Sequence, residues 1–376
     1  MEITDVKAEI CRFLTSNKEV WATFVRIYTD EDIIGTFPFI ANYLYPDLAR
    51  HKMVKIFIEK VVKPELVGAD PFHIEKLSYL MNTVWCFRYH NFRPWPIEIA
   101  LWDIVGKASK LPIYKLLGGF RDKVKAYVST ALGKTPEERV KDVIRWLEKG
   151  YKAVKLRARW YRPPQKFLDV VKAIRDAVGN DIEIMVDANQ AYQDEPPFWT
   201  RRTALMMARE LEKYDVVWLE EPLFWNDLEG LAELCRAVDI PIMGGELEIG
   251  LYRFKELLEK GVYDIINPDV TLSGGILQVR KIAALAEAWG KLCQPHSCCN
   301  GAILAANLQL IGAIPNCHYV EFFLDTPHPT IEERDIMLKD PILIDKEGYV
   351  KIPSKPGIGV EFNEELIASS IVRVST

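Results

Sequence analysis

Residues 182–189 read IEIMVDAN, residues 216–222 read VVWLEEP and residues 240–246 read IPIMGGE. Each is a short apolar run that leads into an acid: Asp187, Glu220 and Glu246. The acids lie 33 residues apart (187 to 220) and then 26 apart (220 to 246), about one strand plus one helix each time. A buried strand that ends in a carboxylate carries a desolvation cost unless the charge is paired or bound to a cation. Three such ends side by side make a hard, oxygen-rich site suited to Mg2+.

The same rhythm extends in both directions. β-Rich runs occur at 123–130, 153–158, 182–189, 216–222, 240–246, 264–270, 292–297 and 318–323, with amphipathic helical stretches between them. One of these, TPEERVKDVIRWLEKG, has Thr135 to cap its start, Glu137 and Glu138 in the first turn and Gly150 to end it. Eight strands alternating with helices predict a parallel barrel closed by helices. An open doubly wound sheet is the competitor, but no strand is followed by the Gly-rich turn that usually marks it.

Residues 1–122 have a different texture. A strand-turn pattern (WATFVRIYTDEDIIG) leads into an aromatic loop (TFPFIANYLYPD) and then helices, including PWPIEIALWDIVGKASK. This predicts a separate α+β layer over 1–122, a barrel over 123–330 and a C-terminal segment, 331–376, that returns to the first layer. The chain has 376 residues and a formal net charge of −5, with no electrostatic footprint for nucleic acid or an anionic membrane. No apolar run approaches the ~20 residues a membrane span needs, and the N-terminus alternates like a strand rather than a signal peptide. Seven cysteines without a CxxC pair fit a reduced, cytoplasmic setting.

A parallel barrel opens the C-terminal ends of all its strands onto one face. Residues far apart in sequence then become neighbours: Lys155, Arg157, Asp187, Asn189, Glu220, Glu246, Asp269, His296 and Glu321. Lys155 and Arg157 share strand parity and should both project into the mouth, either balancing the carboxylates or holding an anionic substrate. Glu221 and Glu248 are decoys, and alternation should turn Glu221 away from Glu220. Asp269 and His296 end adjacent strands. A carboxylate on one ring nitrogen fixes the imidazole tautomer and leaves the other nitrogen for proton transfer. His51, His73, His90, His318 and His328 lack that setting and read as structural or surface groups.

These residues occur in motifs that resemble the enolase superfamily, in its mandelate racemase-like subgroup. ALWDIVGKASKLPIYKLLGG, VDANQAY, WLEEPL, GGE, NPDVTLSGGI, PHS and PGIGVEFNEEL follow in the family's order over nearly the whole chain. The resemblance implies a modified TIM barrel, (β/α)7β, with an α+β capping domain. It implies Mg2+ on Asp187, Glu220 and Glu246, a base pair of Asp269 and His296, and Glu321 hydrogen-bonded to a substrate carboxylate oxygen. The shared reaction starts with loss of a proton α to a carboxylate. A small-molecule substrate and a homo-oligomer are further expectations, with no nucleic-acid or membrane partner.

One departure narrows the reaction. Many relatives carry Lys-x-Lys on the second barrel strand, and this chain has Lys155-Leu156-Arg157. A guanidinium is a poor base at neutral pH. One well-supported base, His296, suits β-elimination of water from a sugar acid to give a 2-keto-3-deoxy acid. A racemase or epimerase of a 2-hydroxy acid, which usually needs a second base, is the alternative, and a non-catalytic homologue a third reading. For substrate contacts, the sequence offers Asn189, Trp160 with Tyr161 after the second strand, and a lid over 36–45 with Phe37, Phe39, Tyr43 and Tyr45. Arg88, His90 and Arg93 form a cationic cluster that reads as surface.

Overall fold

The computed structural model describes the chain except residues 17, 41–46, 89–91, 193–195, 298–299 and 375–376. All eight expected barrel strands form: β4 (Lys123–Ser129), β5 (Ala153–Arg157), β6 (Glu183–Asp187), β7 (Val216–Glu220), β8 (Ile242–Gly244), β9 (Ile265–Ile266), β10 (Leu292–Cys293) and β11 (Tyr319–Phe323). They pair in parallel from β4 through β10, and β11 returns to pair in parallel with β4. β10 meets β11 through single contacts rather than a ladder. Cys293 N donates to Asn316 O at 2.8 Å, and the Gln294 amide oxygen accepts from the backbone N–H of His318 and Tyr319.

Period-2 alternation explains why these runs are strands with two apolar faces. Val154, Leu156, Ile184, Val186 and Leu219 face the surrounding helices and are buried in the main core. Tyr127, Ala153, Met185, Trp218, Met243 and Ile265 form a second cluster that fills the barrel. Each large buried side chain of this kind contributes about 1.5–3 kcal/mol. The helix Pro136–Glu148 starts where the sequence places it. Thr135 accepts from Glu138 N, and the Glu138 side chain accepts from Thr135 N, a reciprocal capping box.

The N-terminal layer is a three-stranded antiparallel sheet in the order β1 (Ile3–Leu14), β2 (Glu19–Thr29), β3 (Ile34–Ile40). The apolar helix Trp95–Ala108 packs on β2 and β3 on one side and on the barrel helix Gly275–Ala288 on the other. Gly35 permits the approach: a Cβ there would sit 2.1 Å from Ala100 O. The C-terminal segment does two things. A short strand β12 (Tyr349–Lys351) first adds to the barrel, antiparallel to β4. The chain then reaches the N-terminal layer, where Ile371 bridges Cys11 and Arg26 pairs with Glu364. The five described cysteines are free thiols. No helix among the described residues is long and apolar enough to cross a membrane.

Candidate active site

Two residues beyond the apolar filling, the same inward-facing rows turn polar: Ala153 gives way to Lys155, Met185 to Asp187, Trp218 to Glu220 and Ile265 to Asn267. Register does the rest. Arg157 lies opposite Asp187 and Asp187 opposite Glu220 on adjacent strands. Sequence parity therefore delivers a compact polar layer on top of an apolar plug.

Lys155 is fully buried at the centre of this layer. Its Nζ lies 2.8 Å from Glu220 Oε2, 3.0 Å from Glu321 Oε1 and 3.8 Å from Asp187 Oδ2. Burial alone would lower the ammonium's pKa, but the charges of Glu220 and Glu321 outweigh it and hold the pKa well above the usual lysine value. Glu321 resists the upward push of burial because Lys155, His296 and Arg157 surround it, so its pKa falls below the usual carboxylate range. Glu220 is pushed the other way: burial and its acidic neighbours raise its carboxyl, with the Lys155 ammonium pulling against them. Arg157 donates to Thr130 O at 2.6 Å, to Asp187 Oδ2 at 3.2 Å and to Asn189 Oδ1 at 2.9 Å.

His296 stands on the opposite flank. Its Nδ1 is 3.0 Å from Asp269 Oδ2, while Asp269 Oδ1 accepts from Thr271 N and Oγ1, both at 2.7 Å. Its Nε2 faces the carboxylates, 3.4 Å from Glu246 Oε2 and 3.9 Å from Glu321 Oε2. The imidazole is thus fixed on one nitrogen and turned toward the acidic layer with the other. Ser297 N donates to Glu321 Oε2 at 3.0 Å, so the residue next to the histidine also orients Glu321.

Residues 138–366 match the family described as enolase C-terminal domain-like, and residues 8–118 match the mandelate racemase / muconate lactonizing enzyme N-terminal domain. The chain belongs to this family. It is 33% identical over 316 residues to an arabinonate dehydratase of Saccharolobus solfataricus, covering 81% of this chain and 80% of that protein. It is 30% identical over 322 residues to a D-galactarolactone cycloisomerase of Agrobacterium fabrum, covering 80% and 81%. The structure of D-glucarate dehydratase from Agrobacterium tumefaciens, complexed with magnesium, superposes with a TM-score of 0.85 at 29% identity, covering 99% of this chain and 100% of that one.

Within this mandelate racemase-family barrel, the donors for a divalent cation are of the right chemistry. Asp187, Glu220, Glu221, Glu246, Asp269 and Glu321 are all buried around the mouth, against the fixed charges of Lys155 and Arg157. That excess of buried negative charge matches a hard cation with oxygen ligands. Among the described residues no three acidic, histidine or cysteine groups already form a ready-made cage. Several of their oxygens are instead engaged by the protein itself: Lys155 and Asn267 on Glu220, Arg157 and Asn189 on Asp187, and the Tyr192 hydroxyl on Glu246.

Some expectations change. Glu221 does not leave the mouth: it is buried, and burial with the charges of Glu246 and Asp187 raises its carboxyl well above the usual range. Its φ of 46° ends strand alternation one residue after Glu220, so parity no longer predicts its direction. Glu248 does turn away, onto Arg253 at 2.8 Å. Phe37 and Phe39 are buried in the core of the capping sheet, because β3 is covered by the Trp95–Ala108 helix, and neither offers a face to a substrate. Tyr43, Tyr45 and His90 lie outside the described residues. Asn189 directs both side-chain atoms to Asp187 and Arg157. Trp160 is 46% exposed, with its indole N–H on Ala131 O. Arg88 is at the surface, but Arg93 donates to Leu272 O in the barrel. Tyr192 and Asn267 also reach the layer, on Glu246 and Glu220, and each lies inside one of the motifs, VDANQAY and NPDV.

Proposed function

We propose that the chain is a Mg2+-dependent dehydratase of a sugar acid, converting it to a 2-keto-3-deoxy acid. Support comes first from one observation: Lys155 is locked between Glu220 and Glu321, and Arg157 is tied to Thr130, Asp187 and Asn189. A lysine whose ammonium is held by two carboxylates does not release its proton at neutral pH, and a guanidinium does not either. His296 is then the group at the mouth suited to accept one.

In this reading Asp187, Glu220 and Glu246 would hold the metal, which would supply positive charge to offset the charge developing on the substrate. Lys155 and Arg157 add fixed positive charge at the same face of the layer, and Glu321, held ionised by Lys155, His296 and Arg157, donates to a substrate carboxylate oxygen only once it has taken up a proton. Nε2 of His296 takes the α-proton, with Asp269 stabilising the imidazolium through Nδ1. The imidazolium returns the proton to the β-hydroxyl as the carbon–oxygen bond breaks, releasing water. The enol product tautomerises to the 2-keto-3-deoxy acid. One base serves both transfers, which is what the locked β5 flank leaves available.

The test is a screen of mono- and diacid sugars with Mg2+ for 2-keto acid formation, run in parallel in D2O. Formation of the keto acid by wild type and its loss in His296→Asn are the expected results. Inversion at the α-carbon with deuterium uptake and no loss of water would overturn this reading in favour of a racemase. Inactivity across the panel with metal bound would overturn both.

A further inference from the structure

The turn that carries Asp269 is gripped from outside the barrel. Between Asp269 and the helix Gly275–Ala288 the chain makes a tight loop: Leu272 N and Ser273 N donate to Asp269 O, and Gly275 N donates to Val270 O at 3.1 Å. The N-terminal layer meets this loop at three successive places. Arg93 donates to Leu272 O at 3.1 Å. Asn82 Nδ2 donates to Gly274 O at 3.0 Å, while its Oδ1 accepts from Trp95 Nε1 at 2.9 Å. Glu98, fully buried, accepts from Ile276 N at 2.8 Å and from Leu277 N at 3.0 Å, with Trp102 Nε1 as a third donor.

The backbone is shaped for this grip. Gly274 and Gly275 have φ of 147° and 87°, and a Cβ on Gly275 would stand 2.6 Å from Glu98 Oε2. The carboxylate therefore sits where only glycine allows it, over the first N–H groups of the helix, which have no partner within the helix. An acceptor group on two such donors makes a directional contact. Trp95 and Glu98 stand on the helix of the N-terminal layer, and Asn82 shares the indole of Trp95, so the contacts form one connected unit rather than scattered interface bonds.

From this connection we infer that Glu98 and Asn82 are positioning residues for the His296 base, because they fix the turn that presents Asp269 to Nδ1. The inference rests on the reading of His296 as the base. It makes the N-terminal layer part of the catalytic geometry, not only a cover over the mouth. Loosening the grip lets the turn drift, Asp269 loses its hold on Nδ1, and the imidazole samples both neutral tautomers.

The experiment reads the ring directly. Full-length protein labelled with 15N-histidine is compared as wild type, Glu98→Ala, Glu98→Gln and Asn82→Ala, above the imidazole titration range, with His296→Asn assigning the signal. Wild type should show a single Nδ1–H tautomer at His296. Glu98→Ala and Asn82→Ala should show a mixture, and Glu98→Gln, which keeps one amide oxygen over the helix start, should restore part of the single form. On an active substrate, kcat should fall about ten- to a hundredfold with KM within about twofold. Glu75→Ala is the control. It removes the exposed pair with Lys281 at 2.6 Å, a contact between the N-terminal layer and the same helix that does not touch the turn, and should change neither readout. If Glu98→Ala fails to fold, Asn82→Ala decides. Folded variants that keep the wild-type tautomer overturn the inference even in an active enzyme. A tautomer shift in a protein that dehydrates no sugar acid leaves the grip standing and refutes the reaction assigned to it.

Discussion

The two flanks of the barrel mouth are built from similar materials and behave oppositely. On β5, two cations are locked into carboxylates: Lys155 into Glu220 and Glu321, Arg157 into Asp187. On the other flank, His296 meets Asp269 through Nδ1 and turns Nε2 toward Glu246 and Glu321. Electrostatics separates their roles. Charge pairing keeps Lys155 protonated, whereas Asp269 behind the imidazole orients it and leaves Nε2 toward the mouth. Lys155 Nζ approaches two acids to 3.0 Å or less, whereas His296 Nε2 stays 3.4 Å or more from its acids.

The strongest challenge to that contrast is His296→Asn. It keeps a hydrogen-bonding side chain but removes the proton acceptor, and turnover should fall about 10²–10⁴-fold. Deuterium incorporation at the α-carbon should fall with it. Exchange persisting at the wild-type rate would mean that the β5 flank supplies a base after all, and the contrast would collapse.

Lys155→Met probes the locked flank. Removing one partner of a buried ion pair leaves the other charge stranded, and the expected loss is about 3–5 kcal/mol in urea unfolding. The pairs are deep enough for the full effect, since Lys155, Glu220 and Glu321 are all buried. A loss below ~1 kcal/mol would show that Lys155 is not the counter-ion the geometry makes it.

How much of this contrast the sequence disclosed follows from where backbone regularity holds. Within the barrel, the common face of the strand ends brings Lys155, Asp187 and Glu220 together as the sequence predicts, and parity points Lys155 and Arg157 the same way, because regular β-structure fixes side-chain direction. Parity fails one residue past the strand end, at Glu221, where a left-handed φ resets direction. The capping strand misled for another reason. Aromatic alternation in 36–40 looks the same whether the ring meets solvent, substrate or a helix, and the Trp95–Ala108 helix lying on β3 decides that Phe37 is core. The grip on the Asp269 turn was invisible because Glu98 and Ile276 are 178 residues apart. Nothing local to either marks the other.

Glu98 also extends the contrast to pH. Burial raises its carboxyl from 4.5 to about 7, against the pull of the Leu277 and Ile276 N–H groups. An acid whose pKa is higher folded than unfolded binds more protons in the folded state between the two values. Stability therefore falls as pH rises from about 4.5 to about 7, and Glu98→Gln removes that slope. The difference in unfolding free energy between wild type and Glu98→Gln should change by roughly 3 kcal/mol across this window. A pH-independent difference would mean that Glu98 is already ionised throughout, held by the helix N-terminus more firmly than burial resists.

The smallest effect tests the centre of the mouth, where the two flanks meet. Glu246 touches both: its Oε2 is 3.4 Å from His296 Nε2, and its Oε1 accepts from the Tyr192 hydroxyl. Tyr192→Phe deletes that one donor and leaves the ring. If the hydroxyl holds Glu246 in position to bind Mg2+, its loss should cost about 1 kcal/mol, or about fivefold in Mg2+ affinity by calorimetry. His296 should keep its Nδ1–H tautomer, because Asp269 is untouched. Tighter Mg2+ binding in Tyr192→Phe would reverse the assignment: the hydroxyl would then be competing with the cation for Oε1. In that case Glu246 belongs first to the histidine flank, and its place among the metal ligands depends on Tyr192 letting go.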